Sequence, residues 1–84
     1  MPTKVIPFTG TKIFSGALYY GSRRTFTCKV NPGGNISISQ LHNSDTGEWI
    51  PVQTLDDAKS GTYQIVFGYA DIQFVCTNAE VSLL

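Results

Sequence analysis

Apolar and polar residues alternate along most of the second half of the chain. Ile36 and Ile38 enclose Ser37 and are followed by Ser39. Tyr63, Ile65 and Phe67 alternate with Gln64 and Gly68, and Ile72, Phe74 and Cys76 with Gln73 and Thr77. Val81 and Leu83 alternate with Glu80 and Ser82. A period of two marks strands with one buried and one exposed face. No segment shows the spacing of an amphipathic helix. Strands are expected over residues 4–8, 12–20, 23–30, 36–42, 48–54, 62–68, 70–77 and 80–84.

Turn residues separate these segments. They are Thr9-Gly10-Thr11, Gly21-Ser22, Asn31-Pro32-Gly33-Gly34-Asn35, Asn43-Ser44-Asp45-Thr46-Gly47 and Asn78. Proline presets one backbone dihedral and glycine permits positive φ, so the run at residues 31–35 reads as a strong turn. Pro51 cannot donate to a ladder, which makes its strand an edge or a bulged one. Residues 55–61 read as a loop with one helical turn begun by Asp56 or Asp57. Such punctuation predicts an all-β chain, a compact β-sandwich or jelly-roll-like barrel of about seven to eight antiparallel strands.

A chain of 84 residues makes one small domain. Residues 22–84 carry the regular alternation and form the expected sandwich core. Residues 1–21 are rich in Gly, Pro and aromatics, and their alternation is less regular. Phe8, Phe14, Tyr19 and Tyr20 in this segment are candidates for an arm that contacts an adjacent subunit. Leu84 joins them, because a chain ending in a strand is expected to seat its last leucines against a neighbour. Charged residues make up 14% of the chain, against about 25% in an average soluble domain. Polarity comes instead from nine threonines and seven serines. A surface rich in hydroxyls and poor in charge resists association less, which fits an oligomer.

Charge also restricts the partners. Six basic and six acidic residues cancel, and the only basic cluster is Arg23-Arg24. A nucleic-acid binder normally carries a positive stripe, so Arg23 and Arg24 are expected to cap a strand end and face water or a subunit boundary, rather than join Tyr19 and Tyr20 in a patch that stacks on bases. The opening residues never form the continuous apolar run of a signal peptide, and no stretch approaches the ~20 apolar residues of a spanning helix. Synthesis in the cytoplasm without secretion or a membrane is the expectation. Cys28 and Cys76 each fall in phase with apolar neighbours, so buried free thiols are expected in preference to a disulfide or a metal site.

Candidate chemistry is sparse. His42, Ser44 and Asp45 spell a hydrolytic triad, but triad geometry draws its members from separated positions, and a loop using Asx and hydroxyl hydrogen bonds is the simpler reading. Asp56 and Asp57, with Asp45 or Asp71, lack the spacing of a calcium loop. Gly33-Gly34 has no helix behind it to cradle a phosphate. The expectation is a protein that is not an enzyme and holds no cofactor or metal. Trp49 is expected to plug the core or cover an edge. The rival reading makes it a stacking platform for a sugar, with Asn43 and Asp45 as polar anchors.

The succession Asn35-Ile36-Ser37-Ile38-Ser39-Gln40-Leu41, then Asn43-Ser44-Asp45-Thr46-Gly47-Glu48-Trp49-Ile50-Pro51-Val52, resembles small virion proteins of tailed bacteriophages. It continues through Gly61-Thr62-Tyr63-Gln64-Ile65-Val66-Phe67 and Asp71-Ile72-Gln73-Phe74-Val75 to Val81-Ser82-Leu83-Leu84. The likeness covers residues 35–84. Gln73 stands where such sequences often carry an arginine. The resemblance implies a decoration, cement or fibre-base protein on the outside of a phage head or tail. It further implies a homotrimer that bridges capsid or tail subunits. Two alternatives belong to other classes: a carbohydrate- or receptor-binding module, and a small inhibitor of a host protein.

Overall fold

The computed structural model describes residues 6–83. Five strands form one antiparallel sheet: β1 (Phe8–Phe14), β2 (Arg23–Asn43), β3 (Glu48–Asp56), β4 (Gly61–Val66) and β5 (Ile72–Leu83). A helical turn, α1 (Gly16–Tyr19), follows β1, and a 3-10 turn at Asp57–Lys59 joins β3 to β4. β2 is the centre. Along one side it pairs with β5 through both of its halves, and β1 lies beyond β5. On its other side β3 and β4 lie end to end, with Ile36 opposite Leu55 and Phe26 opposite Tyr63.

β2 is too long to be straight. Its 21 residues would span about 70 Å if extended, yet the longest dimension of the Cα trace is 36 Å. The sheet bends instead. Phe26 lies in the first half of β2, and Phe74 lies opposite Ile38 in the second half. Those positions would sit roughly 40 Å apart on a flat strand, but the two rings meet edge to face at 5.5 Å. The two half-sheets therefore face each other across a shared core. Phe26, Ile36, Ile38, Phe74 and Val81 are wholly buried there, with Phe67 and Leu55 nearly so.

The bend runs as a crease across every strand. β2 carries three more residues than β5 between the pairs Val30–Ala79 and Asn35–Thr77. Asn78 adopts positive φ at the same level, so Cys76 and Ala79 both face inward although they are three positions apart. β1 shifts register between Phe8 and Gly10, and the 3-10 turn interrupts β3 and β4. Polar side chains replace the ladder bonds lost here, as buried or half-buried backbone demands. Asn78 Nδ2 donates to Pro32 O at 3.2 Å, Thr9 Oγ1 donates to Ala79 O at 2.8 Å, and Ser60 Oγ accepts from Val30 N at 2.9 Å.

These bends correct the expected strand count. The Asn31-Pro32-Gly33-Gly34-Asn35 run is a bulge within β2, not a hairpin turn, so two expected strands are one. Asn78 likewise joins the last two into β5, and β1 runs through Gly10 beside a register shift whose extra residues belong to β5. Eight expected segments become five strands. The segment at 12–20 is also corrected, since its strand ends at Phe14. Ser15 then caps α1, its Oγ accepting from Leu18 N at 3.3 Å. Two expectations stand: Asp56 begins the 3-10 turn by accepting from Ala58 N at 3.1 Å, and Pro51 lies on an edge strand beside a register shift.

Gly34 makes the crease sterically possible. A Cβ there would lie 2.4 Å from Asn78 O and 2.7 Å from Thr77 O, both backbone atoms of the facing bend. Replacing Gly34 by Ala is expected to lower the unfolding free energy by about 2–3 kcal/mol, as overpacking against backbone does. Urea denaturation followed by tryptophan fluorescence checks this.

Candidate protein-binding surface

One half-sheet covers the other diagonally. Residues directly opposite across strands share a face, so inward rows can be followed from β1 to β3. In the row nearest the crease, Cys76, Ile36 and Leu55 are all buried. In the next, Phe74 and Ile38 are buried but Gln53 is exposed. In the third, Phe14 and Ile72 are buried, whereas Gln40 and Ile50 are not. Cover thus retreats by one strand per row. It leaves a corner of the inner face open to solvent.

A groove of about 370 Å³ opens at this end of the sheet, lined by Gln40, His42 and Ile50 together with Leu41 and Val52. Ile50 is 44% exposed and Val52 58%. The bulge at Val52 creates this arrangement. It separates the pairs Ile38–Gln53 and Ser39–Pro51, and so returns Ile50 to the same face as Leu55. The surface offers apolar contact beside the amide of Gln40 and the imidazole of His42. Sequence reasoning missed it. The available signal was Pro51, which foretold a bulge and hence a change of face for the residues before it.

The residues of the expected sugar platform are not gathered into a cavity. Asn43 builds the hairpin turn, its Oδ1 accepting from Asp45 N at 3.0 Å and its carbonyl from Gly47 N at 2.9 Å. Gly47 supplies the positive φ that closes the turn. Trp49 is half-buried opposite Leu41, on the face away from the core. Among the described residues no hydrogen bond joins His42, Ser44 and Asp45, and no three His, Cys, Asp or Glu side chains come together.

The expected arm is corrected at its centre. Phe14 is buried in the chain's own core and meets Phe74 at 5.6 Å. Phe8 is half-buried and packs edge-on against Phe74 at 5.7 Å. Tyr19 covers Phe67 at 5.0 Å and carries the Arg24 guanidinium at 5.2 Å over its ring. Intrachain burial uses these three side chains, because β1 pairs with β5 and brings them over the core. Tyr20 alone of the four is exposed, stacked on Tyr69 at 4.0 Å. Leu84 and residues 1–5 lie outside the described residues. Removing residues 1–10 would take Phe8 out of the core as well.

Cys28 and Cys76 are both free and buried. Burial, reinforced by the neighbouring Cys28, pushes the Cys76 thiol up to about 11. No helix among the described residues is long and apolar enough to cross a membrane. No family model matches the chain, and no curated protein or solved structure is detectably similar to it.

The Cys76 shift has a definite sign. Its thiol ionises near 9.0 when unfolded and near 11 when folded, so the folded state binds more protons in between. Stability from this group is full below about pH 9 and declines as pH rises toward 11. The loss of unfolding free energy between those values is expected to be smaller in Cys76→Ala than in the parent chain, measured by urea titration at each pH.

Proposed function

We propose that this chain is a non-enzymatic virion structural protein, a decoration or cement component that attaches to the outside of a phage head and bridges neighbouring shell subunits. The open corner of the inner face carries this reading. It presents Ile50 and Val52 to solvent at a bulged edge strand, and exposed apolar side chains grouped in this way suit docking to another folded protein. The creased sheet then serves as a compact sandwich-like body, and the projecting hairpin of β2 and β3 is its attachment end.

The mechanism is linkage. A protein that binds only where two shell subunits are adjacent favours the assembled shell by mass action. Specificity would come from Gln40 and His42 beside the apolar side chains of the groove, since polar groups left unpaired there penalise a wrong partner. The protein would be made in the host cytoplasm and reside in the virion. The resemblance to tailed-phage virion proteins supports the location and implies a trimer.

An antibody raised against the purified chain, used on density-purified virions of the encoding phage, tests the reading. A constant copy number per particle is expected, and absence from particles overturns it. The double variant Ile50→Lys, Val52→Lys changes only exposed side chains. It should keep the parent's circular dichroism spectrum while its occupancy on virions falls by about tenfold or more, as when charges replace apolar anchors at an interface.

A further inference from the structure

The three sheet edges are not alike. Exposed strand edges invite pairing with another chain, and proteins blunt them with charge, proline or bulges. β1 carries Lys12 and is interrupted by the register shift between Phe8 and Gly10. β3 carries Pro51, a bulge, and Glu48 and Asp56 at its ends. β4 has none of these devices. Its six residues, Gly61-Thr62-Tyr63-Gln64-Ile65-Val66, pair with β2 in uninterrupted register from Cys28–Gly61 to Arg23–Val66. Among the described residues no strand occupies its outer side.

We propose that β4 is a self-association edge, where two copies of this chain pair antiparallel about a two-fold axis through Gln64. The backbone sets that centre. Phe67 N donates to Ser22 O at 2.9 Å, and Phe67 O accepts from Gly21 N at 2.9 Å, so Phe67 turns its polar groups toward β2. Alternation along an unbroken antiparallel ladder then directs Tyr63 and Ile65 toward β2, and Thr62, Gln64 and Val66 outward. These three outward residues match themselves under a two-fold. Gln64 meets its own copy, and Thr62 meets the partner's Val66.

Side chains agree with this register. It sets half-buried Tyr63 beside the partner's Ile65 on the inner face, an aromatic and β-branched pair of the kind that stabilises sheets. No residue from Ser60 to Ala70 is charged, so nothing in the strand repels its own copy. Apolar surface continues past the end of the strand. Val66 is 60% exposed and Tyr69 74%, with Tyr69 stacked on exposed Tyr20. A second copy suits this edge, because the uncharged strand does not repel itself and the two-fold forms the Tyr63–Ile65 pair twice. The pairing is closed and isologous. It gives a dimer, not the trimer that the resemblance implies, and it stands apart from the shell reading.

Sedimentation velocity over about 5 to 500 μM chain, the range of modest interfaces, tests it under reducing conditions. The parent is expected to approach twice its 9.2 kDa mass. Gln64→Lys, which sets like charges opposite each other at the axis, should weaken association about tenfold or more without loss of the parent's thermal unfolding profile. Gln64→Glu should behave the same way alone, and a mixture of the two variants should regain the dimer. A parent that stays monomeric throughout, or forms a trimer, overturns the pairing. So does undiminished association of the lysine variant, or a mixture that fails to pair. Virion occupancy is unaffected by any of these results, so the two readings fail separately.

Discussion

The rest of this structure depends on one close backbone approach. Gly34 meets the carbonyls of Thr77 and Asn78 where β2 and β5 bend together, at a distance that no residue with a Cβ could reach unstrained. Without that contact the two longest strands would diverge, and Phe26 could not reach Phe74. The positive φ of Asn78 complements it, and its side chain returns a hydrogen bond to Pro32 O. Asparagine tolerates the left-handed region better than most residues, so its place here reflects both conformation and bonding. Thr9 and Ser60 serve the neighbouring strands at the same level.

The direction of the crease also decides which surfaces are left for partners. Because one half lies obliquely over the other, burial is deepest near the bend and shallowest at the hairpin of β2 and β3. An oblique fold of one sheet cannot cover a rectangular face. Uncovered surface must appear at opposite corners, and on this chain one such corner holds Ile50 and Val52. The edges follow a separate rule. β3, beside the open corner, is heavily protected against strand addition, whereas β4 is plain. Face contacts and edge contacts are thereby assigned to different parts of the molecule.

Alternation made the β class legible, and the parity of Ile36, Ile38, Ile72 and Phe74 named the core correctly. Pro51 announced its edge, Asp56 its turn, and the cysteines their burial. Strand count was not legible in the same way. Gly, Pro and Asn signal a backbone that departs from regular extension, and a sharp bulge departs as much as a reversal does. Whether residues 31–35 turn back or merely bend depends on what faces them, here Asn78, more than forty positions away. The aromatic residues before position 20 misled for a related reason. Their irregular spacing reflects the positive φ of Gly10 and the turn α1, while pairing with the last strand carries Phe14 into the core. The groove was only half legible: Pro51 announced the bulge that turns Ile50 inward, but no local pattern encodes the angle between half-sheets that leaves Ile50 uncovered.

The same topology governs when this protein can fold. Among the described residues β1 pairs only with β5, and one whole flank of β2 is closed by that same strand. Loops of this length must close before the long-range pairs return any free energy, which slows formation of such sheets. During synthesis no earlier portion can settle into a stable unit, since each half-sheet lacks a strand until residues 72–83 have left the ribosome. Folding therefore waits on that strand. The nascent chain must wait with Phe26, Ile36 and Ile38 unsheltered, and its sparse charge gives it little defence against aggregation in that interval.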